Sequence, residues 1–406
     1  MLSSVVVVGA SLAGLRAAET LRAEGYDGPL TLIGAERHLP YDRPPLSKKL
    51  LAGELDVERT YLRRETEYAD LGLELRLGVR ATGLDVSSRV LALDDGTSVT
   101  YDGLVIATGA APRVLPGQPE LDGLFVLRTL DDSLALREAF AASPRRVVVI
   151  GAGFIGAEVA ATARAHGLAV TMVEALAAPL ERALGPALGT VFAALHRDHG
   201  VDVRLGVGVH EIAGGRRVER VRLTDGIDLE ADVVVVGIGV APVTDWLVGS
   251  GLEVRDGVVA DAGLACGPPG VFVAGDVARW HHGLLGEEVR LEHWTNAAEQ
   301  GAAAARNLLV TGAGGDATPY QAVPFFWSDQ YDARIQCLGR PGPTDEVVVV
   351  HGSLAERRFV ALFGRHGRLR GVVGISLPKL VMPYRKLLGE AVSWEDALAR
   401  ARAAEG

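Results

Sequence analysis

An α/β fold is predicted by one pattern that occurs twice: apolar strand, glycine-rich turn, helix, strand. The run Val5–Val8 leads into Gly9-Ala10-Ser11-Leu12-Ala13-Gly14, and Val147–Ile150 leads into Gly151-Ala152-Gly153-Phe154-Ile155-Gly156. Such alternation argues for parallel, doubly wound sheets. The predicted architecture is therefore two Rossmann-like dinucleotide-binding domains plus a small C-terminal α+β domain with an antiparallel sheet. A third observation limits the chemistry. Cys266 and Cys337 are the only cysteines and form no CxxC or CxxxxC pair, so no redox dithiol lies between the two motifs.

Each element follows from local pattern. In the first unit, Val5–Val8 is a strand, Gly14–Glu24 a helix with Leu15, Ala18 and Leu21 on one face, and Leu30–Gly34 the next strand. In the second, Val147–Ile150, Gly156–Ala165 and Ala169–Val173 repeat the order. Further apolar strands run into Ala107-Thr108-Gly109, Gly237-Ile238-Gly239 and Ala274-Gly275-Asp276. This order fits one nucleotide domain interrupted by another. The expected divisions are 1–112 with 242–318, then 113–241, then 319–406, with hinges in Pro112–Pro119 and at Ala241-Pro242. Past Pro319, aromatic residues cluster at Phe325, Phe326, Trp327 and Tyr331. Val347–Val350 and Phe359–Phe363 then read as strands and Trp394–Ala404 as an amphipathic helix. Gly312–Gly315 reads as a loop.

At 406 residues the chain can bury a large core in two or three domains. The apolar runs are far shorter than the ~20 residues that span a bilayer. No basic segment with a signal core opens the chain, so a cytoplasmic protein without membrane attachment is expected. A net charge of -10 argues against nucleic-acid binding. His281, His282 and His293 lack supported metal-ligand spacing. Four-cysteine zinc or iron–sulfur ligation is impossible for this chain alone. No metal is expected.

The glycines carry the first chemical argument. They let the chain turn tightly and bring a helix N-terminus against a pyrophosphate. Ser11 stands where the first motif usually has its middle glycine, and a small side chain still fits the turn. Glu36 closes the second strand, about 20 residues on, where a carboxylate accepts ribose hydroxyls. The second motif is complete, and Glu174 occupies the matching place. A carboxylate there favours a free 2′-hydroxyl and predicts NADH over NADPH; nearby Arg182 keeps NADPH as the alternative. Two nucleotide sites in one chain suggest a flavin and a nicotinamide held face to face. Without a dithiol, the electrons must leave for an acceptor outside the chain.

Tyr41-Asp42-Arg43-Pro44-Pro45-Leu46-Ser47-Lys48 resembles the flavin-proximal loop of the FAD-dependent ferredoxin reductases that serve bacterial oxygenases. Leu127-Arg128-Thr129, Gly237 to Pro242, Gly275-Asp276, Glu292 to Ala297 and Phe326 to Gln330 follow in family order, so the resemblance spans essentially the whole chain.

The resemblance implies FAD and NADH as cofactors, with hydride passing from NADH to flavin N5. Single electrons then pass to a [2Fe–2S] ferredoxin that feeds a haem monooxygenase or Rieske oxygenase. It implies that Lys48 lies near N5 and pairs with Glu158, and that Arg43 lies by the flavin. Asp276 would bind the ribityl chain, a helix N-cap being the alternative reading. Arg128 would reach the diphosphate or adenosine side. Trp294 and Trp327 would shield the ring, with core packing as the alternative. The same resemblance puts Leu12, Ala13, Ala81, Thr108, Gly109, Glu292, His293 and Thr295 at the cofactors. Arg290, Arg334 and Arg340 are candidates to meet an acidic acceptor. A rubredoxin reductase, or another NADH:acceptor flavoprotein, is the alternative function. The expected assembly is a monomer or homodimer.

Overall fold

The computed structural model describes residues 2–403; the side chain of Arg182 and the last residues, including Ala404, lie outside the described set. The chain divides into two compact units. One comprises residues 1–42, 58–111 and 241–324, the other residues 43–57, 112–240 and 325–406.

In the first unit a parallel sheet runs in the order Val271–Val273, Gly103–Ile106, Val5–Val8, Leu30–Gly34, Glu74–Leu77. Val5–Val8 is buried along its whole length, as a central strand covered on both faces requires. The chain leaves this strand for Leu30–Gly34 on one side and later returns to Gly103–Ile106 on the other. The carboxyl end of Val5–Val8 is thus a topological switch point, the place where such sheets hold ligands. Gly9 sits there. Helices Leu12–Ala23 and Trp294–Gly312 belong to this unit, and a Cβ on Gly301 would come within 2.2 Å of Ala13 O. Only glycine permits that backbone approach.

The second unit repeats the plan: Asp202–Leu205, Ala169–Glu174, Arg146–Ile150, Val233–Val236 and Leu124–Val126 form a parallel sheet. Gly151 takes the switch position after Arg146–Ile150. The same unit contains a five-stranded antiparallel sheet, ordered Phe325–Gln330, Ala333–Gly339, Arg368–Ile375, Arg358–Arg365, Glu346–Ser353. The α/β class and the antiparallel C-terminal sheet are therefore as expected.

Boundaries differ in instructive places. The two helices after the glycine motifs start at Leu12 and Phe154, not at Gly14 and Gly156. The last glycine of each motif lies inside the first turn, where its missing side chain admits the strand behind it. The helix from Trp294 runs through Gly312, so the glycine loop is shorter than expected. Asp276 caps no α-helix. It lies inside a short 3₁₀ turn, Gly275–Val277, followed directly by the strand Ala278–His282. The N-cap reading fails because that strand continues the sheet with Val258–Ala260.

Candidate functional site

Both glycine turns are built by steric necessity. Gly9 has φ +116°, and a Cβ there would lie 2.0 Å from Ala107 O; one on Gly14 would lie 1.9 Å from Gly9 O. Gly151 has φ +99°, with a Cβ position 2.4 Å from Gly237 O, and a Cβ on Gly156 would lie 2.1 Å from Gly151 O. No side chain fits these places without backbone displacement. Gly153 is different: a Cβ there would meet only Gly237 O, at 4.0 Å. Its glycine is not demanded by the protein's own packing, which points to a ligand's close approach. Ser11 occupies the corresponding place in the first turn and makes no side-chain cap to the helix it precedes. Both helix starts lack a side-chain cap, so their first amides remain to be satisfied from outside.

In the first unit, the groups at the carboxyl ends of the strands are polar and organised. Glu36 accepts a hydrogen bond from Tyr41 Oη. Thr108 Oγ1 donates to Val243 O at 2.9 Å, ahead of Gly109 with φ +68°. Gly275 N–H donates to Gln300 Oε1 at 2.7 Å. Gln300 is fully buried, and its Nε2 has no hydrogen-bond partner among the described residues. A buried amide donor without a partner beside a glycine turn fits an incoming polar ligand. Asp276 lies one residue on, its carbonyl held by Arg290 Nη1 at 3.2 Å. Glu292 also bonds Arg290, at 2.6 Å, and His293 is the N-cap of the helix from Trp294. Trp294 Nε1–H donates to Asp42 Oδ1, which fixes the indole, and Thr295 follows in the same first turn. Ala81 is buried and opens a strand of a separate antiparallel sheet, paired with Leu93.

In the second unit, Glu174 accepts Ala152 N–H at 2.8 Å and Leu176 N–H at 3.0 Å. The carboxylate thus braces the glycine turn while standing at the strand end. Phe154 packs edge-on against Phe326 with ring centroids 4.8 Å apart, whereas Ile155 is exposed on the helix start. Gly239, with φ +99°, faces open space.

The segment 43–57 belongs to this second unit, and buried polar groups hold it there. Arg43 Nη1 donates to Arg128 O at 2.6 Å, Ser133 Oγ to Leu46 O at 2.7 Å, and Thr162 Oγ1 to Ser47 O at 2.8 Å. Lys48 Nζ then lies 2.7 Å from Glu158 Oε2. Ser47 Oγ donates to that same oxygen, and Ser328 Oγ donates to Glu158 Oε1 at 2.6 Å. Glu158 is only 3% exposed. A carboxylate this deep is tolerated because three donors, one of them a cation, match it.

The structure thus brings together Lys48 and Glu158, which the sequence singled out. Ser47 and Ser328 were missed. The alternation Phe326, Ser328, Gln330 on one strand face carried a signal, since two polar residues follow an aromatic on an inward face.

Trp327 points to the other face of that strand and stacks on Phe325 with centroids 6.0 Å apart. Arg290 is a poor candidate for an acceptor surface: its side chain is 10% exposed and lies between Asp256 and Glu292. Neutralising those carboxylates already occupies it.

Residues 3–301 match the family model described as pyridine nucleotide-disulphide oxidoreductase, and residues 325–405 match the reductase C-terminal model. The chain belongs to the pyridine nucleotide-disulphide oxidoreductase family. Among curated members it is 39% identical to the anthranilate 1,2-dioxygenase system ferredoxin–NAD(+) reductase component of Burkholderia cepacia, over 94% of this chain and 93% of that one. It is 36% identical to putidaredoxin reductase CamA of Pseudomonas putida, over 92% and 89%. The solved covalent putidaredoxin reductase–putidaredoxin complex superposes with a TM-score of 0.92 at 34% identity, over 99% of this chain and 98% of that one.

The disulphide half of the family's name has no counterpart here. Cys266 and Cys337 are buried in separate units, and burial pushes both thiols up, away from the reactive thiolate.

Proposed function

We propose that this family member is an NADH-dependent ferredoxin reductase that carries electrons to a [2Fe–2S] ferredoxin of an oxygenase system. The Lys48–Glu158 pair, its carboxylate buried, in a chain without a dithiol, is the observation that carries the reading. A disulphide reductase needs a dithiol beside the flavin, and the segment from Glu36 to Leu51 contains no cysteine. The named relatives support the acceptor class: one is a ferredoxin–NAD(+) reductase component of a dioxygenase system and the other a putidaredoxin reductase.

When bound, FAD supplies the means to take two electrons from a nicotinamide and release them singly. The residues do the rest. The Gly9–Gly14 turn and the uncapped start of its helix bind the FAD pyrophosphate, and Glu36 takes its adenosine ribose. Gln300 and Asp276 offer polar contacts near Gly275. The Gly151–Gly156 turn binds the NADH pyrophosphate. Glu174 takes its ribose and disfavours a 2′-phosphate by charge. Lys48 presents a cation to the flavin, and Glu158 sets where that cation stands.

Reduction of the purified holoprotein by NADH, followed by mixing with a [2Fe–2S] ferredoxin, tests the proposal. Flavin bleaching by NADH followed by ferredoxin reduction is expected. Bleaching with transfer to rubredoxin, and none to ferredoxin, would favour the rubredoxin-reductase alternative.

A further inference from the structure

Behind Glu158 runs a chain of hydrogen bonds that the proposed chemistry does not use. Ser328 Oγ donates to Glu158 Oε1 at 2.6 Å. Gln330 Nε2 donates to Ser328 Oγ at 3.2 Å. Gln330 Oε1 meets His196 Nε2 at 3.2 Å, and His196 Nδ1 meets Tyr331 Oη at 2.8 Å. Glu158, Ser328, Gln330 and His196 are all buried, and all these residues belong to the second compact unit.

The polarity of the chain follows from the chemistry of its members. An amide oxygen only accepts, so His196 Nε2 carries the hydrogen that meets Gln330 Oε1. In the neutral ring Nδ1 is then an acceptor, and Tyr331 O–H must donate to it. Ser328 accepts from Gln330 and has its one hydrogen left for Glu158. Turning the Gln330 amide over would break this. Ser328 would then give its hydrogen to Gln330, leaving two acceptor oxygens 2.6 Å apart at Glu158. Every donor therefore points toward Glu158, and each bond polarises the next. Tyr331 is itself fixed, with φ +55° at the hairpin turn and its ring stacked on His199 at 3.7 Å.

We propose that Ser328, Gln330, His196 and Tyr331 form a directional hydrogen-bond chain whose role is to position the Glu158 carboxylate and, through it, Lys48. These are positioning residues, with Ser328 the link that touches Glu158. The functional part of this inference rests on the assignment of Lys48 and Glu158 to the flavin reaction; the direction of the chain does not. Burial also keeps the His196 imidazole neutral by lowering its pKa to about 4, so the chain keeps its direction throughout the neutral range.

Two measurements on the FAD-loaded full chain test it. The first uses the unaltered protein: nitrogen NMR of the His196 ring, assigned by comparison with His196→Gln. The Nε2–H neutral tautomer between pH 6 and 8 is expected; an Nδ1–H tautomer or an imidazolium overturns the chain. The second compares Ser328→Ala, Ser328→Thr and Glu158→Gln in single-turnover bleaching by NADH and in flavin midpoint potential. Ser328→Ala is expected to slow bleaching about tenfold and to shift the potential in the same direction as Glu158→Gln. Ser328→Thr, which keeps the hydroxyl, should recover most of the rate. A Ser328→Ala protein that only melts earlier, with rate and potential unaltered beside a slow Glu158→Gln, overturns the positioning role. A normal Glu158→Gln protein would instead contradict the flavin assignment itself, while leaving the tautomer result standing.

Discussion

Lys48 Nζ and Glu158 Oε2 stand 2.7 Å apart, with the Glu158 side chain almost wholly buried and the Lys48 side chain 18% exposed. The two residues come from distant parts of the sequence and meet because Ser133, Thr162 and Glu158 all bond the segment that carries Lys48. Removing one charge strands the other. Glu158→Ala should therefore lower stability by about 3 kcal/mol, whereas Lys48→Met with Glu158→Leu should recover most of it. Thermal unfolding of the three holoproteins checks this. Neither protein should recover the rate of bleaching by NADH, which separates stability from chemistry.

The two glycine turns predict different effects at a packed and an open position. Gly14→Ala puts a Cβ against Gly9 O and should cost the protein its FAD, read as the flavin-to-protein absorbance ratio after purification. Gly153→Ala adds a methyl to open space on the protein side. It should fold with a full complement of FAD and show its defect in the KM for NADH, raised about tenfold or more.

Glu174 braces Ala152 and Leu176 while offering its remaining lone pairs at the strand end. Glu174→Ala should raise the KM for NADH and narrow the preference over NADPH, because the repulsion of a 2′-phosphate is lost. Equal ratios of kcat/KM for the two nucleotides before and after substitution would contradict that role.

His196 predicts a pH dependence of stability. Burial lowers its pKa from the usual 6.5 to about 4. Between those values the unfolded chain binds a proton that the folded chain does not, so acid favours unfolding. Stability present at pH 7 should fall as pH drops from about 6.5 to 4, by about 3 kcal/mol from this residue alone. In denaturant titrations, His196→Gln should show a shallower loss across the same window.

The buried thiols predict an absence of cysteine chemistry. Cys266→Ala and Cys337→Ala should each keep the wild-type rate of NADH-driven bleaching, and both cysteines should resist alkylation in the folded protein. Rate loss specific to either, at unaltered stability, would revive a thiol mechanism.

The doubly wound plan was legible because its signals are local. A buried strand, a glycine whose φ is positive and a helix start lie within ten residues of one another, as at Val5–Gly14 and Arg146–Gly156. The helix starts were misplaced by two residues because the last glycine of each motif faces the strand from inside the first turn. Lys48 and Glu158 came from the family resemblance, since no local rule pairs them. Ser47, Ser328, Gln330 and His196 escaped notice because each has a partner on another element. His196 sits among Leu188, Phe192 and Leu195 on an otherwise apolar helix face, and such a residue reads as packing until its partners are known. The alternative reading of Asp276 as a cap arose because Asp-Val-Ala suits a helix start, but the sheet takes the following residues as a strand.

The most direct test is anaerobic stopped-flow of the holoprotein with NADH, then with an oxidised [2Fe–2S] ferredoxin. Rapid flavin bleaching, reversed as the ferredoxin becomes reduced, is the predicted result. A protein that binds no flavin, or whose flavin stays oxidised with NADH, would contradict the account at its root.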